Sequence, residues 1–321
     1  MEYSRTKKTI AITGANGFIG KKLITELSKD KNISLRLLVR NVNDSSNLAE
    51  NILKIEGDLT KSESLKQFLV PNCIVINLAY IFGAKGDENI IAIKNLVKIC
   101  QENKIERLIH CSTASVFGRV SGNTVSESSI CRPYSDYAKT KLMIEELIKE
   151  GSKDKYEFVN VRPTEVYGSN GKGLAKLIND LMYGNQILNY VKSCLFNSRT
   201  MNLVHVSNVI AAIIFLIFTE KEVAGETYIV SEDDSPLNNY QSVERYLIKR
   251  LKLRHYFIPA FPIPLIILSV ILRFLKRDSV NPNLFYDPSK IKKIGFKFVS
   301  SFYFGLDDIS AWHLKNFKED K

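Results

Sequence analysis

The sequence predicts an α/β protein: a doubly wound parallel sheet over residues 1–168, then a smaller C-terminal lobe over residues 169–321, with parts of the two interleaved. Three observations carry this. Apolar strand-like runs alternate with helical stretches from residue 8 to 165, as in sheets joined by helical crossovers. A glycine-rich turn, Gly14-Ala15-Asn16-Gly17-Phe18-Ile19-Gly20, stands between the first such run and the first helix. After Gly168 the alternation loosens.

The elements follow in order. Lys8-Thr9-Ile10-Ala11-Ile12 reads as a short buried strand, and helical spacing runs on from Phe18. Strands are predicted at 9–13, 34–39, 52–56, 73–78, 107–112 and 157–161, and helices at 18–29, 62–69, 88–103 and 137–150. The strand ends at 13, 39, 78 and 112 then share one carboxyl edge, where such sheets bind ligands. In the second lobe a helix is predicted near 174–183, an extended stretch over 201–206, an apolar helix over 206–219 and a strand over 226–230. An apolar helix is predicted from about Pro264, and an amphipathic one near 306–317.

A chain of 321 residues with 45% apolar composition supplies a sizeable core. The five cysteines are odd in number and widely spaced, with no Cys-x-x-Cys pair. Neither a metal site nor a disulfide framework is predicted, and reduced thiols in a cytoplasmic protein are the expectation. Glu2, Arg5, Lys7 and Lys8 lead directly into the first strand, so no secretory signal is expected.

The net charge is +11, and residues 245–277 hold eight basic residues and no acidic one. Between Arg254 and Arg273 lies an uncharged run from His255 to Leu272, broken in its first half by Pro259, Pro262 and Pro264. It is short against the roughly 20 apolar residues of a spanning helix. Basic flanks around an apolar helix suit peripheral contact with an anionic membrane, at the inner face in a cytoplasmic protein. The competing reading is a buried helix or a dimer contact. Nucleic-acid binding is not expected, since no recognised motif is present and aromatic residues interleave little with the bases.

Two motifs carry chemistry. The glycines permit a tight turn and close approach of a phosphate, and the helix start offers free N–H groups. Tyr137 and Lys141 stand four residues apart, one helical turn, on the same face. A free phenol titrates near 10, too high for an efficient base at neutral pH, and a neighbouring ammonium favours its phenolate. A phosphate cradle with such a pair points to hydride chemistry on a carbonyl or an alcohol.

Together these motifs resemble the extended short-chain dehydrogenase/reductase family, in its nucleotide-sugar branch of epimerases, dehydratases and ketoreductases. The resemblance covers nearly the whole chain. It includes Asp58-Leu59 after a strand, Asn77-Leu78-Ala79-Tyr80 at the end of the next, and Asn89 to Leu96 as a central helix. It extends through Cys111-Ser112-Thr113-Ala114-Ser115-Val116-Phe117-Gly118 and Arg162-Pro163-Thr164-Glu165-Val166-Tyr167-Gly168. A Rossmann sheet carrying the catalytic residues and a substrate-binding C-terminal lobe are implied.

The resemblance implies that Tyr137 exchanges a proton with the substrate oxygen, Thr113 bonds the same oxygen, and Lys141 holds the nicotinamide ribose. It places Gly14, Asn16, Gly17, Phe18, Ile19 and Gly20 at the pyrophosphate, and Asp58 near the adenine. Leu59, Leu78, Ala79, Tyr80, Pro163 and Val166 join the cofactor site. Arg40 ends the second strand where NAD-preferring members carry an acid, which implies NADP(H) in preference to NAD(H). Ser115 and Arg199 are weaker candidates for substrate contact; Arg199 is displaced from the family's arginine. Ala114-Ser115 replaces the Asp-Glu of dehydratases.

The leading expectation is an NADP-preferring reductase of a 4-keto nucleotide-sugar, working as a homodimer. A nucleotide-sugar 4-epimerase is the close alternative. More distant ones are a reductase of a membrane-dissolved, sterol-like ketone and a non-catalytic NADP-binding assembly factor.

Overall fold

Strands as apolar as Ile74–Asn77, buried along its whole length, need cover on both faces, and crossover helices supply it. The computed structural model describes residues 7–42, 49–83, 86–275 and 279–319; Glu2, Arg5, Lys276 and Arg277 lie outside the described residues. The chain forms two units from interleaved segments: residues 1–116, 136–162 and 210–228 make the first, and 117–135, 163–209 and 229–321 the second.

The chain opens with β1 (Lys8–Thr13), α1 (Phe18–Leu27), β2 (Ile33–Val39), β3 (Ile52–Glu56), β4 (Ile74–Asn77), α2 (Gly86–Glu102) and β5 (Arg107–Cys111). A short strand β6 (Thr124–Val125) precedes α3 (Asp136–Ser152) and β7 (Glu157–Pro163). There follow β8 (Glu165–Tyr167), α4 (Ala175–Tyr183), α5 (Gln186–Phe196), β9 (Leu203–His205), α6 (Val206–Phe218) and β10 (Glu226–Val230). The chain closes with α7 (Tyr240–Arg250), α8 (Leu265–Phe274), β11 (Phe285–Tyr286), α9 (Ser289–Lys293) and α10 (Phe302–Glu319).

Seven strands form the central sheet in the order β10-β7-β5-β4-β1-β2-β3, and every pairing from β3 to β7 is parallel. The order reverses between β1 and β4, which opens a crevice at their carboxyl ends. On one face Val75, Leu108, Ile93, Leu96, Ile144 and Ile148 pack into a single core under α2 and α3. The second unit has its own core, in which Tyr167, Ile178, Val243, Leu247, Leu306 and Ile309 meet.

The predicted helix over 62–69 is a single tight turn at Ser62–Leu65. Leu65 and Phe68 are buried, and so few apolar residues anchor a turn without extending it into a helix. The short strands β6, β8 and β11 hold two or three residues each, too few for an alternating pattern. Helices α5 and α7 were not anticipated. Helix α5 turns its polar Asn189 and Ser193 inward, inverting the usual signal, and α7 falls within the basic stretch.

Four buried polar residues stand in one row across the carboxyl ends of four strands. Thr13 pairs with Asn77, Asn77 with His110, and His110 with Asn160. The Thr13 hydroxyl donates to Asn77 Oδ1 (2.6 Å), and the Asn77 amide lies 3.1 Å from His110 Nδ1. Donation by that amide puts the neutral ring's proton on Nε2. Burial, and then the nearby Lys141 ammonium, hold His110 well below the ordinary histidine range. Behind this row Arg162 and Glu145 join α3 to β7 through two parallel bonds of 2.6 and 3.0 Å, both side chains being buried.

Two outcomes follow from these buried groups. Glu145→Ala strips a buried guanidinium of its carboxylate and should cost about 3–5 kcal/mol by urea denaturation. Glu26→Ala, in the exposed pair with Lys29, should change stability by about 0.5 kcal/mol or less. His110 titrates lower in the fold than in the unfolded chain, so its contribution is complete above about pH 6.5 and is lost as pH falls below that value. His110→Gln should flatten that slope, which reaches about 1.4 kcal/mol per pH unit for one proton. Urea midpoints between pH 7 and 5 would test this; parallel losses in both proteins would refute a neutral buried His110.

Candidate active site

The turn after β1 is shaped by two close approaches. Gly14 has φ of +71°, and a Cβ there would lie 2.7 Å from the Leu78 carbonyl carbon and 2.8 Å from the Ala79 nitrogen. A Cβ on Gly20 would lie 2.3 Å from the Gly14 carbonyl oxygen. Only hydrogen fits at either place, so β4 closes against the turn and α1 against its own entry. Gly17 donates to the Gly14 carbonyl (3.0 Å) and starts α1 with no side-chain cap and no acid in the first turn. Asn16 and Gly17 are exposed beside this uncapped helix start, while Phe18 and Ile19 are half-buried. The helix start thus offers N–H groups to an anion, and the turn fits a dinucleotide pyrophosphate.

Arg40 is exposed immediately beyond β2. Beyond β3, Asp58 accepts from the Thr60 N–H (2.9 Å) and hydroxyl (2.8 Å). The Thr60 bonds foremost, helped by Lys61 and Arg40, hold its carboxyl below the usual range against a modest effect of burial. Leu59 packs on the core beneath α2, and Leu78 donates to the Thr13 carbonyl (3.3 Å). Arg40, Asp58 and the Leu78–Tyr80 segment therefore lie beyond the ends of β2, β3 and β4.

Helix α3 begins at Asp136, so Tyr137 and Lys141 occupy its first two turns. Lys141 is buried, and its ammonium donates to the Cys111 carbonyl at the end of β5 (3.0 Å). Burial pushes the ammonium's pKa down. Two residues beyond Cys111, the Thr113 hydroxyl donates to Ser115 Oγ and accepts from the Ser115 N–H, each at 3.2 Å. Thr113 and Ser115 are half-buried at the tight turn Ala114–Phe117.

Tyr80 links the strand-end segment to this pair. Its ring meets Tyr137 edge-on at 4.9 Å, and the Lys141 ammonium lies 5.2 Å from its centroid. Phe82 stacks with Tyr137 at 6.3 Å and meets Tyr80 edge-on at 4.9 Å. Phe82 and the Asn77–His110 pair are the parts of the site that the sequence reading missed.

Pro163, Val166 and Arg199 belong to the second unit. Pro163 ends β7, and Val166 pairs with Val204 on β9. The Arg199 guanidinium lies 5.7 Å from the Phe196 ring centroid, and its carbonyl accepts from the Tyr240 N–H (2.9 Å). His205 is a buried connector: Nε2 lies 3.2 Å from Asp308 and Nδ1 3.3 Å from Ser300.

The chain resembles known proteins in sequence and in fold. The chain is 25% identical over 336 residues to short-chain dehydrogenase/reductase family 42E member 1 of Xenopus laevis, covering 94% of this chain and 83% of the relative. It is 25% identical over 232 residues to a 4-hydroxy-2-methyl-3-oxo-4-farnesyl-3,4-dihydroquinoline-1-oxide ketoreductase of Stigmatella aurantiaca, covering 69% and 67% of the two chains. The fold is similar to that of UDP-glucuronic acid 4-epimerase from Bacillus cereus solved with NAD, with a TM-score of 0.69 and 21% identity over 97% of this chain and 98% of that one. The model of the NAD dependent epimerase/dehydratase family matches residues 10–231, which include the glycine turn, Thr113, Tyr137 and Lys141. The chain therefore belongs to the NAD-dependent epimerase/dehydratase family, enzymes of the short-chain dehydrogenase/reductase type that use a nicotinamide dinucleotide.

Proposed function

We propose that this enzyme reduces a 4-keto nucleotide-sugar, with NADP(H) preferred and Tyr137 as the proton donor. The observation that carries the reading is the Lys141 ammonium fixed on the Cys111 carbonyl beside Tyr137, in the same unit as the glycine cradle. A nicotinamide dinucleotide held by its pyrophosphate at that turn would supply the hydride for such a reduction. Tyr137 gives its phenolic proton to the oxygen as that oxygen gains charge, and Thr113 donates a hydrogen bond to the same oxygen. Lys141 favours the phenolate left behind and bonds the ribose. Ala114 and Ser115 place no carboxylate beside Thr113, which speaks against elimination of water. The Stigmatella ketoreductase supports net reduction.

A second reading, a nucleotide-sugar 4-epimerase, is favoured by the B. cereus 4-epimerase. On this reading Tyr137 would take the proton of the 4-hydroxyl and later return it, while a bound nicotinamide dinucleotide would supply the hydride acceptor and then the donor at the opposite face. Mass spectrometry of the denatured protein separates the two. Tightly retained NAD and turnover without added cofactor would favour the epimerase; dependence on added NADPH would favour the reductase.

Tyr137→Phe keeps the ring and removes the proton. Turnover should fall by about a hundred- to ten-thousand-fold, with cofactor affinity within a few fold. Near-normal turnover would end this mechanism. Lys141→Met should weaken turnover and cofactor binding together. On this reading Arg40, exposed beyond β2, meets a 2′-phosphate, and one charge-assisted bond of about 1.5–3 kcal/mol gives roughly tenfold preference or more. Arg40→Asp should reverse the preference when NADPH and NADH are titrated in turn. Tighter NADH binding in the wild type, unmoved by the substitution, would make Arg40 a bystander and the epimerase the better reading.

A further inference from the structure

We propose that the face formed by α5, residues 255–264 and α8 docks on an anionic lipid bilayer. The docking is peripheral, and it is independent of the reaction assigned above.

Helix α5 is inverted. Its polar residues point inward, where the Asn189 amide donates to the Asp180 carbonyl (2.5 Å) and the Ser193 hydroxyl bonds the Glu244 carboxylate. The apolar residues of its first half point outward: Ile187 is 75% exposed, and Leu188 and Val191 are exposed beside it, whereas Cys194 near its end is buried. Internal packing gives the exposed Ile187, Leu188 and Val191 no return, since burial rewards the opposite arrangement.

Helix α8 is apolar on two faces and packs only one. Leu268 and Leu272 are buried, whereas Ile266, Val270 and Phe274, spaced by four, stand in solvent with Phe274 83% exposed. The preceding segment adds Phe257 at 99% and Phe261 at 78%. The segment is tied to α5: Phe261 N–H reaches Cys194 Sγ (3.3 Å), Ile263 N–H donates to the Cys194 carbonyl (3.1 Å), and the Tyr190 hydroxyl donates to the Pro259 carbonyl (3.2 Å). These eight exposed apolar side chains stand on tied segments, and clustered exposed apolar residues of this kind mark interaction surfaces.

Charge selects the occupant. Arg245, Lys249, Arg250, Lys252, Arg254 and Arg273 are all exposed, and no acid lies in the sequence from 245 to 275. Among the described residues, Arg250 is the one of these drawn into an ion pair, with Asp307 at 2.6 Å. Anionic headgroups complement such flanks, and aromatic and aliphatic side chains enter the interfacial layer beneath them. A second copy is a poorer occupant, since two-fold pairing of this face brings its basic flanks together. Among the described residues no helix is long and apolar enough to cross a membrane, so the contact is with the surface.

The test uses the full chain and flotation with vesicles of phosphatidylcholine containing 30% phosphatidylserine, or of phosphatidylcholine alone. Binding to the acidic vesicles is expected at low salt, at least tenfold weaker with neutral vesicles and weaker again in salt. Phe257→Ser with Phe261→Ser should lower binding at least tenfold, with thermal midpoint and turnover of soluble substrate unchanged, because both rings are already in solvent. Lys249→Gln with Lys252→Gln and Arg273→Gln should lower it to a similar degree. No binding to acidic vesicles at low salt would overturn the proposal. Binding indifferent to both variants would also overturn it. So would a concentration-dependent dimer, seen by sedimentation, that the phenylalanine variant dissociates.

Discussion

An ammonium buried as deeply as that of Lys141 is costly unless its surroundings answer it, and much of the first unit is arranged to do so. The Cys111 carbonyl accepts one of its hydrogens, the Tyr80 ring lies under it, and His110 beside it stays neutral. Tyr137, Lys141 and Glu145 follow one another by single turns along α3, so the same helix face carries a phenol, an ammonium and a carboxylate. The carboxylate is occupied by Arg162, which anchors α3 to β7 and fixes the height at which Tyr137 stands. The polar row from Thr13 through Asn77 runs from the glycine turn to His110 on β5, and the next residue of that strand, Cys111, receives the Lys141 ammonium. Cradle and α3 are thus referred to neighbouring strands of one sheet.

The parts of this arrangement that were legible in the sequence are those written in local spacing. The strand–glycine–helix start at residues 8–27 and the four-residue interval between Tyr137 and Lys141 lie within single turns or elements. Strands of the central sheet announced themselves as apolar runs, because both faces are covered. What was not legible lies in registers between distant strands. Nothing near His110 in sequence says that Asn77 and Asn160 stand beside it, since parallel pairing fixes that juxtaposition. Helix α5 was hidden for the opposite reason: its polar side is inside, so a search for buried apolar spacing passes over it. The extent of α8 was visible as an apolar run, but its exposed second face was not.

The two units differ in how they treat polarity. The first buries an Arg162–Glu145 ion pair and the Lys141 ammonium, and leaves its sheet strands covered. The second holds a carboxylate, Asp233, whose burial pushes its pKa up to about 6 although Asn202, Asn238 and Tyr286 all donate to it. It also carries the exposed apolar face of α5 and α8. Such a contrast fits a division of labour in which one unit needs rigid geometry and the other needs surface.

The interleaving of the units governs how the protein can be made. Strand β10 is the outermost member of the central sheet beside β7, yet roughly sixty residues separate the two in the chain. During vectorial synthesis at about 5–20 residues per second, the nascent sheet therefore waits on the order of three to thirteen seconds with β7 as a bare margin. An unpaired strand margin invites association with other chains. Asn160 and Arg162 interrupt the apolar character of β7, and Arg162 is engaged with Glu145, which the ribosome has already delivered on α3. The Arg162–Glu145 pair can thus form before β10 is made, so α3 can cover one face of β7 while its outer margin is still open.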